Sequence, residues 1–162
     1  MRKTRIIITC MTALAILLIV QSAAAQGKLE GVWKVTEVSM SGPDAFRVSN
    51  PQPSLYIFTK KHFSMASITA DKPRPNQSLE KATDAQKLAA WEGFDADAGT
   101  YEVKGTTVTT QGVASKDPED MQPGKPHIFD FKIDGNTLLL TLKVNEDGPL
   151  PNPIQWKLIR VE

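Results

Sequence analysis

Hydrophobic and polar residues alternate along most of the chain after residue 30, in short runs separated by Gly, Pro, Asn and Asp. A period of two is typical of strands with one buried face, and the separating residues are typical of turns. Ser39–Pro53 and "FDADAG" (Phe94–Gly99) are predicted loops. The pattern predicts eight strands, at Gly31–Val38, Ser54–Thr59, His62–Thr69, Gly99–Val103, Thr106–Ser115, His127–Ile133, Asn136–Val144 and Ile154–Val161.

The second and third predicted strands form a hairpin, since only a Lys-Lys turn separates them. Pairing across this turn sets Phe58 beside Phe63 and Tyr56 beside Met65 on one face. The opposite face of the hairpin is also apolar, with Leu55, Ile57, Ala66 and Ile68. We therefore expect one face to line the protein interior and the other to be covered by another segment.

One helix is predicted, over "TDAQKLAAWE" between the third and fourth strands. Thr83 and Gln86 have the spacing of a capping box, and Gly93 is a typical C-terminal stop. The helix carries one apolar stripe, formed by Ala85, Leu88 and Trp91. A helix of this length is marginal alone, so we expect the stripe to dock, for example on the outer face of the hairpin.

Eight antiparallel strands in one small domain can close into an up-and-down barrel, which removes exposed strand edges. The first and last strands then lie side by side and antiparallel, with Trp33 near Arg160. A guanidinium stacked on an indole contributes about 0.5–2 kcal/mol and would plug the closed end of the barrel. Gly31 would give the chain room to turn into the first strand. The predicted fold class is therefore all-β, an eight-stranded barrel with one short helix.

Three segments together resemble the bacterial lipocalin-like domain proteins. These segments are Gly31-Val32-Trp33, Gly99-Thr100-Tyr101 and the tail Trp156–Val161, and the resemblance extends from Leu29 to Glu162. It implies a lipocalin-type barrel with one open mouth, a cavity for small, often hydrophobic molecules, and an early Trp stacked on a late Arg at the closed end. The chain differs from animal lipocalins in lacking their disulfides and in carrying its helix within the barrel sequence rather than after it.

The first 25 residues have the pattern of a cleavable signal peptide. A basic start (Arg2, Lys3, Arg5) precedes the apolar run Ile6–Val20, and "QSAAAQ" supplies small residues for cleavage after Ala25. An uncleaved anchor is the alternative, but the run of 15 residues is short for a span of about 20. A lipoprotein is disfavoured because Cys10 lies near the start of the run. The prediction is a secreted or periplasmic protein whose domain is 26–162.

Composition limits the partners and cofactors of this domain. It contains no cysteine, and 16 basic residues stand against 18 acidic ones, which favours neither nucleic acid nor an anionic membrane as a partner. The only histidines, His62 and His127, form no metal-binding motif and are expected to be partly exposed. "FDADAG" lacks the late Glu of a calcium loop and is interpreted as a solvated loop. No metal, cofactor or catalytic residue is predicted.

The predicted ligand-binding residues are aromatic or lie near the expected mouth. Arg74, between two prolines, would be held at a fixed place and could receive an anion if its loop covers the mouth; the alternative is a rigid surface connector. Some aromatic residues must be plain core, because side chains can fill an eight-stranded barrel. The full predicted set is Tyr56, Phe58, Phe63, Met65, Arg74, Phe129 and Phe131.

Three functions are compatible with the sequence. The first is an exported protein that binds a small hydrophobic or amphipathic molecule in its barrel. The second is a barrel enzyme of cyclase, isomerase or hydrolase type built on His62, Tyr56 or Arg74, which requires a titratable group that points inward beside a polar partner. The third is a non-catalytic envelope interaction module, which a filled barrel with an exposed apolar patch would favour.

Overall fold

The computed structural model describes residues 27–74 and 78–162, which include nine strands, an α-helix, two short 3-10 turns and a helical stretch at 27–29. The helix, α1, is Asp84–Glu92, and the 3-10 turns are Leu79–Lys81 and Pro118–Met121. The strands are β1 (Gly31–Met40), β2 (Phe46–Ser49), β3 (Ser54–Phe58), β4 (His62–Ile68), β5 (Phe94–Lys104), β6 (Thr107–Ser115), β7 (His127–Asp134), β8 (Thr137–Asn145) and β9 (Gly148–Arg160).

Eight of these strands close into an antiparallel up-and-down barrel. The order around the ring is β1-β3-β4-β5-β6-β7-β8-β9, and β1 also pairs with β9, which closes the sheet. β2 lies in line with β3 on the same edge of β1. β3 pairs with the first half of that edge and β2 with the second half, while β9 pairs along the opposite edge. The all-β, eight-stranded barrel predicted from the alternation is therefore confirmed.

The β3–β4 hairpin has the predicted register but not the predicted cover. Tyr56 pairs with Met65 and Phe58 with Phe63, and these side chains point into the barrel. On the opposite face, Leu55 and Ile57 are 42% and 37% exposed. The expectation that another segment covers this outer face is wrong for these two residues.

Helix α1 begins and ends as predicted, because Thr83 and Gln86 form the capping box and Gly93 is the C-cap. Its apolar stripe does not dock, however, since Leu88 and Trp91 are more than half exposed. The helix contacts β5, which follows it in the chain, more than any other strand, and the exposure of Leu55 and Ile57 shows that it does not cover their side of the hairpin. Local capping therefore defines the ends of this helix better than burial does.

Two segments predicted as loops contain strands, and the last strand begins earlier than predicted. β2 lies inside the predicted loop Ser39–Pro53, and β5 begins at Phe94, so "FDADAG" is not a solvated loop. β9 begins at Gly148 rather than Ile154. The prolines of this extension occupy every second position (149, 151 and 153), so their missing N–H groups all face one side, which leaves the other side free to pair. Pro149 pairs with Val144 in this way.

The closed end of the barrel is centred on Trp33, which is fully buried. Arg160 pairs with Trp33 across the closing strands, and its guanidinium carbon lies 4.1 Å from the ring centroid. The same guanidinium donates hydrogen bonds to the carbonyl oxygens of Lys28 (2.6 Å) and Glu30 (2.5 Å). Trp33 donates from Nε1 to the carbonyl oxygen of Leu29 at 2.8 Å. These contacts fasten the chain before β1 across the base of the barrel.

Gly31 is required at this closed end for two reasons. Its φ of +134° is a conformation that side-chain-bearing residues rarely adopt. A Cβ at this position would also collide with the Arg160 guanidinium and lie 2.5 Å from the carbonyl oxygen of Glu162. Gly31 therefore leaves the space in which Arg160 stacks on Trp33, which explains the spacing Gly-x-Trp.

The predicted signal peptide (1–25) lies outside the described residues, as do Pro75 and Asn76 of the Arg74 loop. Among the helices of the described ranges, none combines the length and the hydrophobicity needed to cross a bilayer.

Candidate ligand-binding site at the barrel mouth

The barrel is open at the end opposite Trp33, where β1, β4, β6 and β8 end and β3, β5, β7 and β9 begin. A cavity of about 450 Å³ lies at this end and is called the mouth cavity below. One part of its wall is apolar, formed by Val38, Phe46, Val48, Ile68, Ile154 and Trp156. The other part is polar and includes Asn50, Gln52, Ser54, Tyr56, Ser67, Asp71 and Asp95.

β2 extends the apolar wall along β1, beyond the stretch that pairs with β3. Phe46 and Val48 line the cavity, yet they are 41% and 46% exposed, because β2 has a paired neighbour in β1 and no strand on its other edge among the described residues. Arg47 holds β2 against β1 through an ion pair with Glu37 at 2.7 Å. This wall therefore presents apolar surface that a bound molecule would remove from water.

Tyr56 forms the deep polar point of the mouth cavity. It is 5% exposed and belongs to the buried core, yet it also lines the cavity. Burial raises the pKa of its phenol, a hydrogen bond with Ser67 opposes this effect, and the negative charge of Asp95 adds to the increase. Tyr56 is thus a neutral hydroxyl at neutral pH, and it can donate or accept a hydrogen bond.

A second group of polar residues occupies the rim of the mouth, between β7, the β8–β9 turn and the 3-10 turn Pro118–Met121. Nε2 of His127 lies 3.2 Å from Oδ1 of Asp120 and 3.0 Å from Oε2 of Glu146. The three side chains, here called the rim cluster, are 18%, 13% and 24% exposed, respectively for His127, Asp120 and Glu146. Two carboxylates therefore converge on one imidazole nitrogen.

The path of the chain around Gly112 brings Asp120 into the rim cluster. A Cβ at Gly112 would lie 2.7 Å from the carbonyl oxygen of Asp120 and 3.0 Å from Oδ1 of Asp97, so glycine lets the 3-10 turn approach β6. Gln111 donates from its side chain to backbone carbonyls of the turn, including that of Gln122 at 3.2 Å. Ser115 Oγ lies 2.9 Å from Oδ2 of Asp120 and fixes the carboxylate that faces His127.

Asp97, on β5, brings a further carboxylate to this region. Among the described residues, its Oδ1 is a buried oxygen with no hydrogen-bond partner. Burial raises the pKa of Asp97 to about 6, the negative charge of Asp120 contributes to the increase, and His127 opposes it. The mouth therefore concentrates negative charge, with His127 as the imidazole among three carboxylates.

The structure separates the residues predicted to bind ligand. Tyr56 lines the mouth cavity, whereas the phenylalanines belong to the buried core beneath it and Met65 packs against that core. Arg74 is exposed and donates to the carbonyl oxygen of Ala90 at 3.3 Å, beside α1. It lines a separate cavity of about 420 Å³ between its loop and α1. The buried phenylalanines are Phe58, Phe63, Phe129 and Phe131.

His127 is partly exposed at the start of β7, as expected, but its two carboxylate neighbours were not predicted. His62 is exposed beside the β3–β4 turn, whereas His127 points into the mouth and lies between two carboxylates. His127, Phe129 and Phe131 are alternate residues of β7, so the alternation that places the two phenylalanines inside the barrel also predicts an inward His127. His127 also meets the condition for the enzyme alternative, an inward titratable group beside a polar partner, which His62 does not meet.

Further residues of the site follow from the same alternation. Asp97 shares the parity of Tyr101 and Val103 on β5, and Trp156 shares that of Leu158 on β9, so both point inward. The Phe-Arg-Val sequence of β2 also alternates. Aspartate and glycine near Asp97, and glycine and proline near β2, weakened the strand signal there, whereas Trp156 lies in a strand that the sequence predicted.

A closed eight-stranded barrel with a plugged base and an open, partly polar mouth is the architecture of the lipocalin class. The chain belongs to the lipocalin-like domain family, whose sequence model matches residues 30–157. Comparison with curated proteins and with solved structures finds no significant match.

Proposed function

We propose that this protein binds a small amphipathic molecule in the mouth cavity. The observation that carries the proposal is the cavity itself, about 450 Å³ with an apolar wall on one side and hydrogen-bonding groups on the other. This volume is within the range of small-molecule sites. The lipocalin-like barrel fold supports ligand binding in general, and the cavity supports a specific location for it.

The charges around the cavity favour a neutral or cationic ligand over an anion. Asp71 and Asp95 lie on its polar side, and among the described residues that line it none is Lys or Arg. Tyr56 offers a neutral hydroxyl at the deep end, beside Ser54 and Ser67. An apolar body would therefore lie against Trp156 and β2, and a head group that donates hydrogen bonds would face the carboxylates.

Two dyes of similar size test both parts of the proposal. N-phenyl-1-naphthylamine is neutral, and 8-anilinonaphthalene-1-sulfonate is an anion. We expect saturable fluorescence enhancement with the neutral dye and at least about 10-fold weaker binding of the anion. Trp156→Ala should weaken binding of the neutral dye about 10-fold, whereas Trp91→Ala, which removes an exposed indole from α1, should leave it unchanged. Absence of saturable binding by either dye, or equal effects of the two substitutions, would overturn the proposed location.

We further propose that the protein is exported and begins at Gln26 in its mature form. Support comes from the basic start, the apolar run and the small residues before Gln26. Intact mass and N-terminal sequencing of the protein recovered from cells that express the whole chain provide the test. We expect loss of 25 residues; retention of residues 1–25 on the folded protein would exclude cleavage.

A further inference from the structure

The nitrogen and oxygen atoms of the rim cluster are arranged more closely around one point than an ion pair requires. Nε2 of a histidine carries at most one hydrogen, yet two carboxylate oxygens approach this nitrogen, at 3.0 and 3.2 Å. The three donor atoms lie within 4.8 Å of one another. Ligand atoms bound at about 2.1 Å from one metal ion, with angles of 90–109°, are about 3.0–3.4 Å apart. Both nitrogen–oxygen distances fit this range.

Three separate parts of the chain supply the donors. Asp120 is on the 3-10 turn, His127 begins β7, and Glu146 is on the β8–β9 turn. The Asp120 carboxylate is oriented by Ser115, as ligand carboxylates commonly are by neighbouring hydrogen bonds. All three side chains are less than one quarter exposed, so water screens their mutual repulsion incompletely.

The surrounding charge also favours a cation. Asp97 adds a buried oxygen without a hydrogen-bond partner near Asp120 and His127. Lys125 is the cation nearby, and its Nζ is paired with Glu119 at 2.9 Å while it donates to the carbonyl oxygen of Glu146 at 2.8 Å. The charge of Lys125 is therefore offset by Glu119, and the carboxylates that face His127 keep an excess of negative charge.

We propose that Asp120, His127 and Glu146 bind one divalent first-row transition-metal ion of the Zn²⁺ type at the rim of the mouth. One imidazole nitrogen and two carboxylate oxygens suit such an ion, whereas Mg²⁺ and Ca²⁺ prefer sites made of oxygen alone. Three protein ligands leave a coordination position for water or for a polar group of a bound molecule. The metal site does not depend on the dye-binding proposal, and either can fail alone.

Calorimetric titration of the untagged mature protein, stripped with EDTA, with Zn²⁺ tests the site. We expect one ion per chain, and at least about 100-fold weaker binding in His127→Gln. Titration with Co²⁺ should give visible absorption bands from the bound ion in the wild type alone. Millimolar Mg²⁺ should not compete with Zn²⁺.

Matched variants distinguish the rim cluster from other surface groups. Glu146→Gln and Asp120→Asn should each weaken Zn²⁺ binding by about 10–100-fold, and these variants keep the test valid if His127→Gln does not fold, which circular dichroism would show. His62→Gln and Asp147→Asn remove the other histidine and the exposed carboxylate next to Glu146, and both should bind Zn²⁺ as the wild type does. No saturable Zn²⁺ binding, binding that survives in His127→Gln, or binding lost in His62→Gln would overturn the proposal.

Discussion

The two ends of the barrel are built from the same strands but differ in how far their side chains are buried and paired. At the closed end, Trp33, Leu29 and Leu158 are fully buried, and the polar groups of Arg160 have backbone partners. At the mouth, Asp97 has a buried oxygen without a partner, carboxylates converge on His127, and Phe46 exposes 41% of its surface. The polar groups of the closed end have hydrogen-bond partners within the protein. The mouth keeps a buried carboxylate oxygen without such a partner among the described residues, and apolar surface exposed to water.

Because of this difference, the closed end mainly contributes to stability and the mouth mainly to binding. A buried apolar end contributes free energy of folding, because its area is removed from water and its hydrogen bonds are complete. Unpaired charges and exposed apolar walls reduce stability unless a ligand satisfies them. Substitutions at the closed end should therefore lower the free energy of unfolding, and substitutions at the mouth should change binding or pH dependence.

The largest expected effect is that of Trp33→Ala. Removal of this fully buried indole should lower the free energy of unfolding by about 3–5 kcal/mol, because it empties the base of the barrel. Trp91→Ala, which truncates an indole that is 57% exposed, should change it by less than about 0.5 kcal/mol. Urea unfolding followed by circular dichroism measures both. Similar losses in the two variants would refute the assignment of Trp33 as the plug.

Gly31→Ala should have the next largest effect. The positive φ and the collision with Arg160 together should cost about 3 kcal/mol of unfolding free energy. Gly105→Ala is the control, since it also has positive φ, +63°, but no atom lies within 4 Å of the added Cβ; it should cost about 1 kcal/mol. Equal losses in the urea titrations would mean that the Arg160 contact contributes nothing.

Asp97→Asn should stabilise the protein at neutral pH. The pKa of Asp97 is about 6 in the folded state against an ordinary 3.8, so the folded protein binds the proton more tightly. Stability therefore falls as pH rises from about 4 to 6, and the loss is complete above about 6. Because Asp97 is only partly buried, screening reduces the gain from Asn to about 1 kcal/mol at pH 7.

The pH dependence of this variant is measured by urea unfolding in EDTA between pH 3.5 and 7.5. The groups that act on Asp97 are Asp120, His127 and Asp95, and all are retained. Wild type and variant should converge near pH 4, where the Asp97 carboxyl is protonated in the folded protein. A difference in stability that does not change with pH would exclude desolvation of the carboxylate as its cause.

The smallest effect on stability is expected at β2. Phe46→Ser should weaken binding of N-phenyl-1-naphthylamine by about 10-fold, because Phe46 lines the mouth cavity, while the unfolding free energy changes by less than about 0.5 kcal/mol. Leu55→Ser is the matched control, since Leu55 is equally exposed, at 42%, but lies on the outer face of β3. Fluorescence titration should show normal dye affinity in this control. Weakened binding in Leu55→Ser would indicate a nonspecific dye site on the outer wall.

The sequence predicted the closed end better than the mouth, for a physical reason. Alternation, turn residues and the pairing of the first and last strands place Trp33 beside Arg160, because a closed barrel leaves little choice of register. At the mouth, Asp95, Asp97 and the prolines of β9 oppose strand propensity, and tertiary pairing overrides it. The convergence of Asp120, His127 and Glu146 depends on two turns whose paths no local pattern specifies.

Arg74 illustrates the same limit from another direction. Its flanking prolines predict a fixed backbone, and this stays a prediction because Pro75 lies outside the described residues. The position of Arg74 depends on α1, since the carbonyl oxygen of Ala90 accepts a hydrogen bond from its guanidinium. Local sequence can predict that a segment is rigid, but it cannot predict which cavity the segment lines. His127 was recoverable from its strand parity alone, and Arg74 was not.

β2 also changes how the barrel meets other molecules. Ring closure removes free strand edges, but among the described strands β2 pairs with β1 alone, so its other edge is free beside the mouth. An unpaired edge is a template for strand addition, the first step of many aggregates. Here the edge is four residues long, carries Arg47, and is followed closely by Pro51, so it offers too few consecutive N–H groups to recruit a second chain. The strand can therefore enlarge the mouth without exposing the protein to edge-to-edge association.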